Sequence, residues 1–197
     1  MFDFDGVIVD SLAACHELSN SISPVTLEEY RARFEGNIND AVRRPAIRQA
    51  DFFAEYGQKL ICLDPHPEMA AAVRELSAGA EYALVIISST HSLLIDEFLQ
   101  KHSLRQCFKE ILGNDVDKSK VKKIRIALEK YHAQPHDALF ITDTLGDVKE
   151  AAECSVGCIA VSWGYHADEV LRKGNPYAVV NDKAGLVPAV QAYFKAS

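Results

Sequence analysis

From Glu81 onward the chain alternates short apolar runs with stretches of helical period, and no other feature constrains its fold as strongly. Glu81 to Ser88 (EYALVIIS) is an apolar run ending in hydroxyls, and His91 to His102 then returns Leu94, Ile95, Phe98 and Leu99 at helical spacing. Lys109 to Gly113 reads as a short strand. Ser119 to Tyr131 carries Val121, Ile124 and Leu128 on one helical face, and Ala138 to Thr142 (ALFIT) reads as a second buried strand. A helix over 147–154 and a strand over Cys158 to Ser162 complete the series. Strands that alternate with helices pair in parallel, so the expected class is α/β with helices packed on a parallel sheet.

The first eleven residues, MFDFDGVIVDS, must find a place in that sheet. Taken alone they admit a hairpin, because Phe2 to Asp5 alternates apolar and acidic, Asp5-Gly6 is a favoured two-residue turn, and Val7 to Val9 would return. In a parallel α/β sheet the same stretch becomes a strand buried on both faces, with Asp3 and Asp5 at its carboxyl end. Such sheets bind ligands outside the carboxyl ends of their strands, where strand order reverses. Ser88 and Asp143 end two other strands in the same sense, so three strand ends would deliver polar groups to one place. The hairpin stays as the alternative.

Between Leu12 and about Cys62 there is no strand-like apolar run, and the signals are helical. Thr26-Leu27-Glu28-Glu29 fits a capping box, Asn39 is a candidate N-cap, and Pro45 should end or kink its helix. Asp64-Pro65-His66-Pro67 leads into a helix over Glu68 to Ser77, closed by Gly79. The expected organisation is an α/β core of residues 1–11 and 63–197 interrupted by a helical segment, 12–62.

Composition narrows the function. A formal net charge of -7 disfavours nucleic acid as a partner. The apolar run from Tyr82 to Ile87 is far below the roughly 20 residues of a membrane-spanning helix, and no signal peptide is visible. The five cysteines lack paired spacing, which points to structural thiols in a reducing, cytoplasmic setting. His66, His132, His136 and His166 share no spacing and are expected at the surface.

With these residues in place, the chain resembles the haloacid dehalogenase superfamily, in its phosphatase branch with a helical cap after the first strand. Asp3-Phe4-Asp5-Gly6-Val7-Ile8-Val9-Asp10-Ser11 matches the first motif, DxDGxxxDS, and Ser88 the second. Lys118 or Lys120 would supply the third, and Asp143-Thr144-Leu145-Gly146-Asp147 gives the fourth, DxxxD. The resemblance implies a three-layer, Rossmann-like parallel sheet with a small all-helical cap. It departs from the family at Met1, where several more strand residues are usual, and at Thr142, where a glycine often stands.

The resemblance implies a phosphatase that hydrolyses a small phosphorylated metabolite through an aspartyl-phosphate intermediate, as a monomer or homodimer. Asp3 would be nucleophile and metal ligand, Asp5 the acid and base as well as a ligand through its carbonyl, and Asp143 a third ligand, with Asp147 serving the metal through water or orienting the lysine. Ser88, Gly6, Ser89 and Thr90 would surround the phosphate. Three carboxylates within about 5 Å repel by roughly 3 kcal/mol per pair at an effective dielectric near 20. Mg²⁺ relieves that best, because it takes oxygen ligands and bridges to phosphate. Lys118, at the loop-to-helix junction, is preferred over Lys120 as the site lysine, and Lys122 and Lys123 are expected on a solvated face. Arg44 and Arg48 lie four apart and would read a second anionic group, as in phosphoglycolate-like substrates; the alternative is an exposed helix face. A phosphotransferase or mutase, a phosphonate hydrolase, or a catalytically silent metabolite-binding or interaction protein are the rival readings. A dehalogenase would not need Asp5.

Overall fold

The computed structural model describes residues 1–38, 49–79 and 81–196, with side chains from 52 onward in the helix that begins at residue 49. Five strands are parallel: β1 (Val85–Ile87), β2 (Glu110–Leu112), β3 (Leu139–Thr142), β4 (Gly157–Val161) and β5 (Ala178–Val180). They form two ladders, β1-β2 and β3-β4-β5, and the amino-terminal residues join them. Phe2 bridges in parallel to Ile86 on one side and Ile141 on the other. Phe2 N–H donates to Val85 O at 2.8 Å, and Asp3 N–H donates to Ile141 O at 2.8 Å. The order is therefore β2, β1, residues 1–3, β3, β4, β5. It reverses beside the DFD segment.

Side-chain alternation separates the two faces. Phe2, Ile86, Leu139, Ile141, Ile159 and Val161 enter one buried cluster; Val85, Ile87, Phe140, Cys158 and Ala160 enter the other. Neighbouring residues point to opposite faces of a strand, so this partition requires a covering layer on each side. In chain order the helices are α1 (Leu12–Ile22), α2 (Leu27–Ala32), α3 (Gln49–Leu60), α4 (Pro67–Ala78), α5 (Ser92–Lys101), α6 (Lys120–Lys130), α7 (Leu145–Glu153), α8 (Asp168–Leu171) and α9 (Leu186–Ala196). Helices α4, α5 and α9 cover the first face with Met69, Val73, Phe98 and Val190. Helices α6 and α7 cover the second with Ile124, Val148 and Ala151. This is the three-layer α/β architecture the sequence predicts.

The expected strand over Glu81 to Ser88 shortens to Val85–Ile87, because Glu81 and Ala83 are exposed and only the apolar centre meets both layers. The hairpin reading is not realised. Val7, Ile8 and Val9 are fully buried, and they follow a tight turn in which Ile8 N–H returns to Phe4 O at 2.9 Å. Gly6 at φ +73° makes that turn possible.

The described elements of the 12–62 interval are all helices, as predicted, and Thr26 with Glu29 forms the expected capping box. Asn39, Pro45, Arg44 and Arg48 lie outside the described residues. The interval leaves and rejoins the core at adjacent points: Val9 bridges Pro65, and His66 N–H donates to Ile8 O at 2.9 Å. Among the described residues no helix is long and apolar enough to cross a membrane.

His166 corrects an expectation of surface placement. It is buried, its Nδ1 accepts from Leu145 N–H at 3.0 Å, and its Nε2 faces Arg31 O at 2.9 Å. The ring thereby ties the start of α7 to α2. Burial holds its pKa below the ordinary histidine value. The unfolded chain then binds the proton more readily, so stability should fall as pH drops below about 6.5. His166→Leu leaves a buried amide and a carbonyl without partners and should cost about 1–3 kcal/mol in urea unfolding at pH 8, with a flatter acid limb. An unchanged midpoint would remove this role.

Candidate active site

The carboxyl ends of the central strands carry the expected acids. Asp3, Asp143 and Asp147 are all buried. Helix α7 presents Asp147 from its first turn, where the N-cap Thr144 accepts its N–H at 3.4 Å. Loop backbone fixes Asp3, whose Oδ1 accepts Phe4 N–H at 2.7 Å.

The lysine among them is Lys120. Its Nζ lies 2.7 Å from Asp3 Oδ2 and 2.6 Å from Asp147 Oδ2. The preference for Lys118 is corrected: that residue lies exposed along the cavity mouth. The reason is one turn of geometry. Ser119 caps α6 and accepts Lys122 N–H at 3.3 Å, so Lys120 is the first helical residue and points inward, with Val121 and Ile124 buried beside it. Lys123 also departs from expectation, being fully buried with its Nζ 2.5 Å from Ser88 O and 3.4 Å from Gly113 O. Burial first, and then Lys120, lower its pKa to about 8. Lys122 does stay at the surface, paired with Asp117.

Electrostatics follow from this packing. Burial pushes the Asp3 carboxyl well up; Lys120 opposes the rise, while Asp147 and Asp143 reinforce it. Burial also acts on Asp147, yet Lys120 and the hydrogen bonds around it hold that carboxyl below its usual range. One of those bonds comes from Thr142, whose Oγ1 donates to Asp147 Oδ2 at 2.6 Å. The departure from glycine at this position thus supplies a positioning contact. Lys120 stays charged because Asp147 and Asp3 outweigh its desolvation.

Asp5 sits apart from this ion pair, half-buried. Its Oδ1 accepts from Tyr56 Oη, and its Oδ2 accepts from Thr90 Oγ1 at 2.7 Å. Tyr56 comes from α3, so the helical interval reaches into the core site. Sequence reasoning misses Tyr56, because Phe52, Tyr56 and Leu60 read as an ordinary apolar helix stripe. It also misses Glu150, whose Oε1 accepts Asn37 Nδ2 at 3.0 Å and Lys120 N–H at 3.1 Å. Ser88 is fully buried and its Oγ accepts Thr90 N–H at 3.0 Å; Ser89 and Thr90 line the cavity above it.

Asp143 tests whether these residues fit a divalent cation. Its Oδ2 accepts Tyr165 N–H at 2.7 Å, but its Oδ1 is buried without a hydrogen-bond partner. Burial lifts this carboxyl to about 7. A Cβ at Gly6 or Gly164 would come within 2.0 or 2.2 Å of Asp143 Oδ2, so glycine at both positions lets the backbone wall the carboxylate in. An orphaned carboxylate oxygen in a dry site is costly, and a hard cation is the partner it suits. Among the described residues no three His, Cys, Asp or Glu side chains form a cage by themselves. Mg²⁺ needs no such cage, since one or two carboxylates, water and substrate phosphate suffice. The donor set fits. Gly6→Ala should cost at least about tenfold in activity, since it combines a disfavoured φ with that contact; wild-type kinetics from the variant would remove the constraint.

Asp3, Asp5, Asp147, Lys120, Glu150, Tyr56 and Thr90 open on a cavity of ≈ 530 Å³ beneath the helical interval. The family model described as haloacid dehalogenase-like hydrolase matches residues 1–161. Phosphoglycolate phosphatase from Vibrio vulnificus is 25% identical over 218 residues, covering 96% of this chain and 94% of that protein. A predicted phosphoglycolate phosphatase from Haemophilus somnus superposes with a TM-score of 0.77 at 18% identity, over 96% of each chain. CbbY from Rhodobacter sphaeroides, solved in complex with phosphate, does so at 0.72 and 19% identity, over 94% of each chain. At these identities the two structures speak for the fold alone.

Proposed function

Because the chain belongs to the haloacid dehalogenase-like hydrolases, matched over residues 1–161, we propose that it is a Mg²⁺-dependent phosphatase acting on a small phosphate monoester through a phosphorylated Asp3. The observation that carries this reading is the juxtaposition at the switch point. Asp3 is buried against Lys120, while Asp5, two residues on, is held by hydroxyls at the foot of the same cavity. One carboxylate is placed to attack and the other to move a proton.

Asp3 attacks phosphorus and the ester oxygen leaves with a proton from Asp5; Asp5 then takes a proton from the water that cleaves the acyl phosphate. Proton delivery needs an Asp5 oxygen to face substrate, so Tyr56 or Thr90 yields its place on that side. Lys120 opposes the rise that burial imposes on the Asp3 carboxyl and presents positive charge toward the phosphoryl oxygens. Ser88 Oγ, which accepts Thr90 N–H, would donate its own hydroxyl hydrogen to one of those oxygens beside the Ser89 N–H, and Lys123 holds the Ser88 carbonyl from behind. Asp3, the Asp5 carbonyl and Asp143 would hold Mg²⁺, with Asp147 orienting Lys120; the ion would offset the carboxylate charge and polarise the phosphoryl group. The relatives named phosphoglycolate phosphatase support a small phosphorylated substrate.

Phosphate release from a panel of monoesters tests the reading. Release is expected with Mg²⁺, and it should stop on chelation and in Asp3→Asn. No release from any ester would overturn it.

A further inference from the structure

The cavity is divided by chemistry. Its floor carries the charged groups of the core, whereas among the described residues the helical interval contributes Ile22, Tyr30, Phe34, Phe52, Phe53 and Tyr56 beside the polar Ser19, Arg33 and Asn37. Those aromatics form two banks. Tyr30 meets Phe34 edge-on at 5.3 Å, and Phe34 meets Tyr165 of the core at 4.9 Å. In a separate group on α3, Phe52 stacks on Tyr56 at 6.2 Å and meets Phe53 edge-on at 5.7 Å.

A phosphate seated against Asp3 and Lys120 projects its ester oxygen toward Asp5 and its alcohol toward these rings. A two-carbon, doubly anionic ester would leave the aromatic wall to water. The volume of ≈ 530 Å³ falls in the range, about 300–1,000 Å³, of pockets that enclose ligands of drug size. Resting on the phosphatase reading, we propose that the preferred substrate is a monoester whose alcohol carries an aromatic or comparably apolar body, bound against the two banks of rings. Specificity then lies in the ring-lined wall of α1 to α3, and phosphate recognition in the core. Arg33 also lines this wall, donating to Ser19 Oγ at 2.8 Å with its guanidinium over the Tyr30 ring.

Paired esters with leaving alcohols of similar acidity test the proposal. With 2-phenylethyl phosphate against ethyl phosphate, kcat/KM should favour the aromatic ester by about tenfold or more, as burial of a ring face predicts. Phosphoglycolate should be the poorer substrate too. Phe53→Ala should reduce kcat/KM at least about fivefold more for the phenylethyl ester than for the ethyl ester, chiefly through KM. Calorimetry with 3-phenylpropylphosphonate and propylphosphonate reads the same preference without turnover, so failure of the chemistry and failure of the pocket remain distinguishable. Tighter binding of the phenyl compound without hydrolysis of any ester would retain the pocket and remove the phosphatase. Hydrolysis with equal rates for both esters, equal affinities for both phosphonates, or phosphoglycolate as the fastest substrate would overturn the proposal.

Discussion

Asp5→Asn is expected to lose about 10² to 10⁴ in the rate of phosphorylation by an alkyl phosphate, and far less with p-nitrophenyl phosphate. An alkoxide needs a proton to depart, whereas the nitrophenolate leaves with little help. The asparagine keeps the size of Asp5 and can still accept one hydrogen bond, from Tyr56 or Thr90, so a loss that depends on the leaving group reports proton transfer rather than packing. Water attack on the phosphorylated enzyme also lacks its base in this variant. Phosphate should therefore accumulate on Asp3, trapped by rapid quench after a single turnover. Equal losses for both esters, with no phosphorylated Asp3, would make Asp5 a structural residue.

Substitution of Lys120 should damage stability and activity together. Lys120→Met leaves Asp3 and Asp147 buried without their ammonium. Losing one partner of a buried pair costs on the order of 3–5 kcal/mol, moderated here by proton uptake on Asp3. Activity should fall by about 10³ or more, since the charge facing the phosphoryl oxygens is lost as well. Lys118→Ala, on the exposed side of the same loop, should stay within about tenfold of wild type. Urea unfolding together with steady-state rates on one ester separates the two variants. A larger loss at Lys118 than at Lys120 would return the role to the loop.

The two lysines show what kind of information a linear pattern lacks. Positive charge crowding the start of a helix is visible in Lys118, Lys120, Lys122 and Lys123, because it opposes the helix dipole and needs a reason. Which lysine turns inward depends on where the helix begins, and a cap shifted by one residue rotates the side chains by about 100°. Ser119 settled that through its bond to Lys122 N–H, and Lys123 went inside with Lys120. His166 is a parallel case, since nothing local marks a histidine that will serve an amide at the start of a distant helix.

By itself the sequence determined the parallel α/β sheet, the helical interval after the first strand and the acids at the strand ends. These follow from periodicity and from strand position, both local properties of the chain. Only the tertiary structure decided that Tyr56 of α3 would reach Asp5, that Thr142 would fasten Asp147, and that Glu150 would join Asn37 to the Lys120 backbone. Each of these contacts except Thr142 to Asp147 joins residues separated by many positions, and each depends on how a helix is rotated against the sheet. Hydrophobic pattern fixes which face of a helix is buried, but it does not fix which polar tip on that face meets which carboxylate. Side-chain packing at the interface settles that pairing, through distances of a few tenths of an ångström that no pattern in the chain encodes.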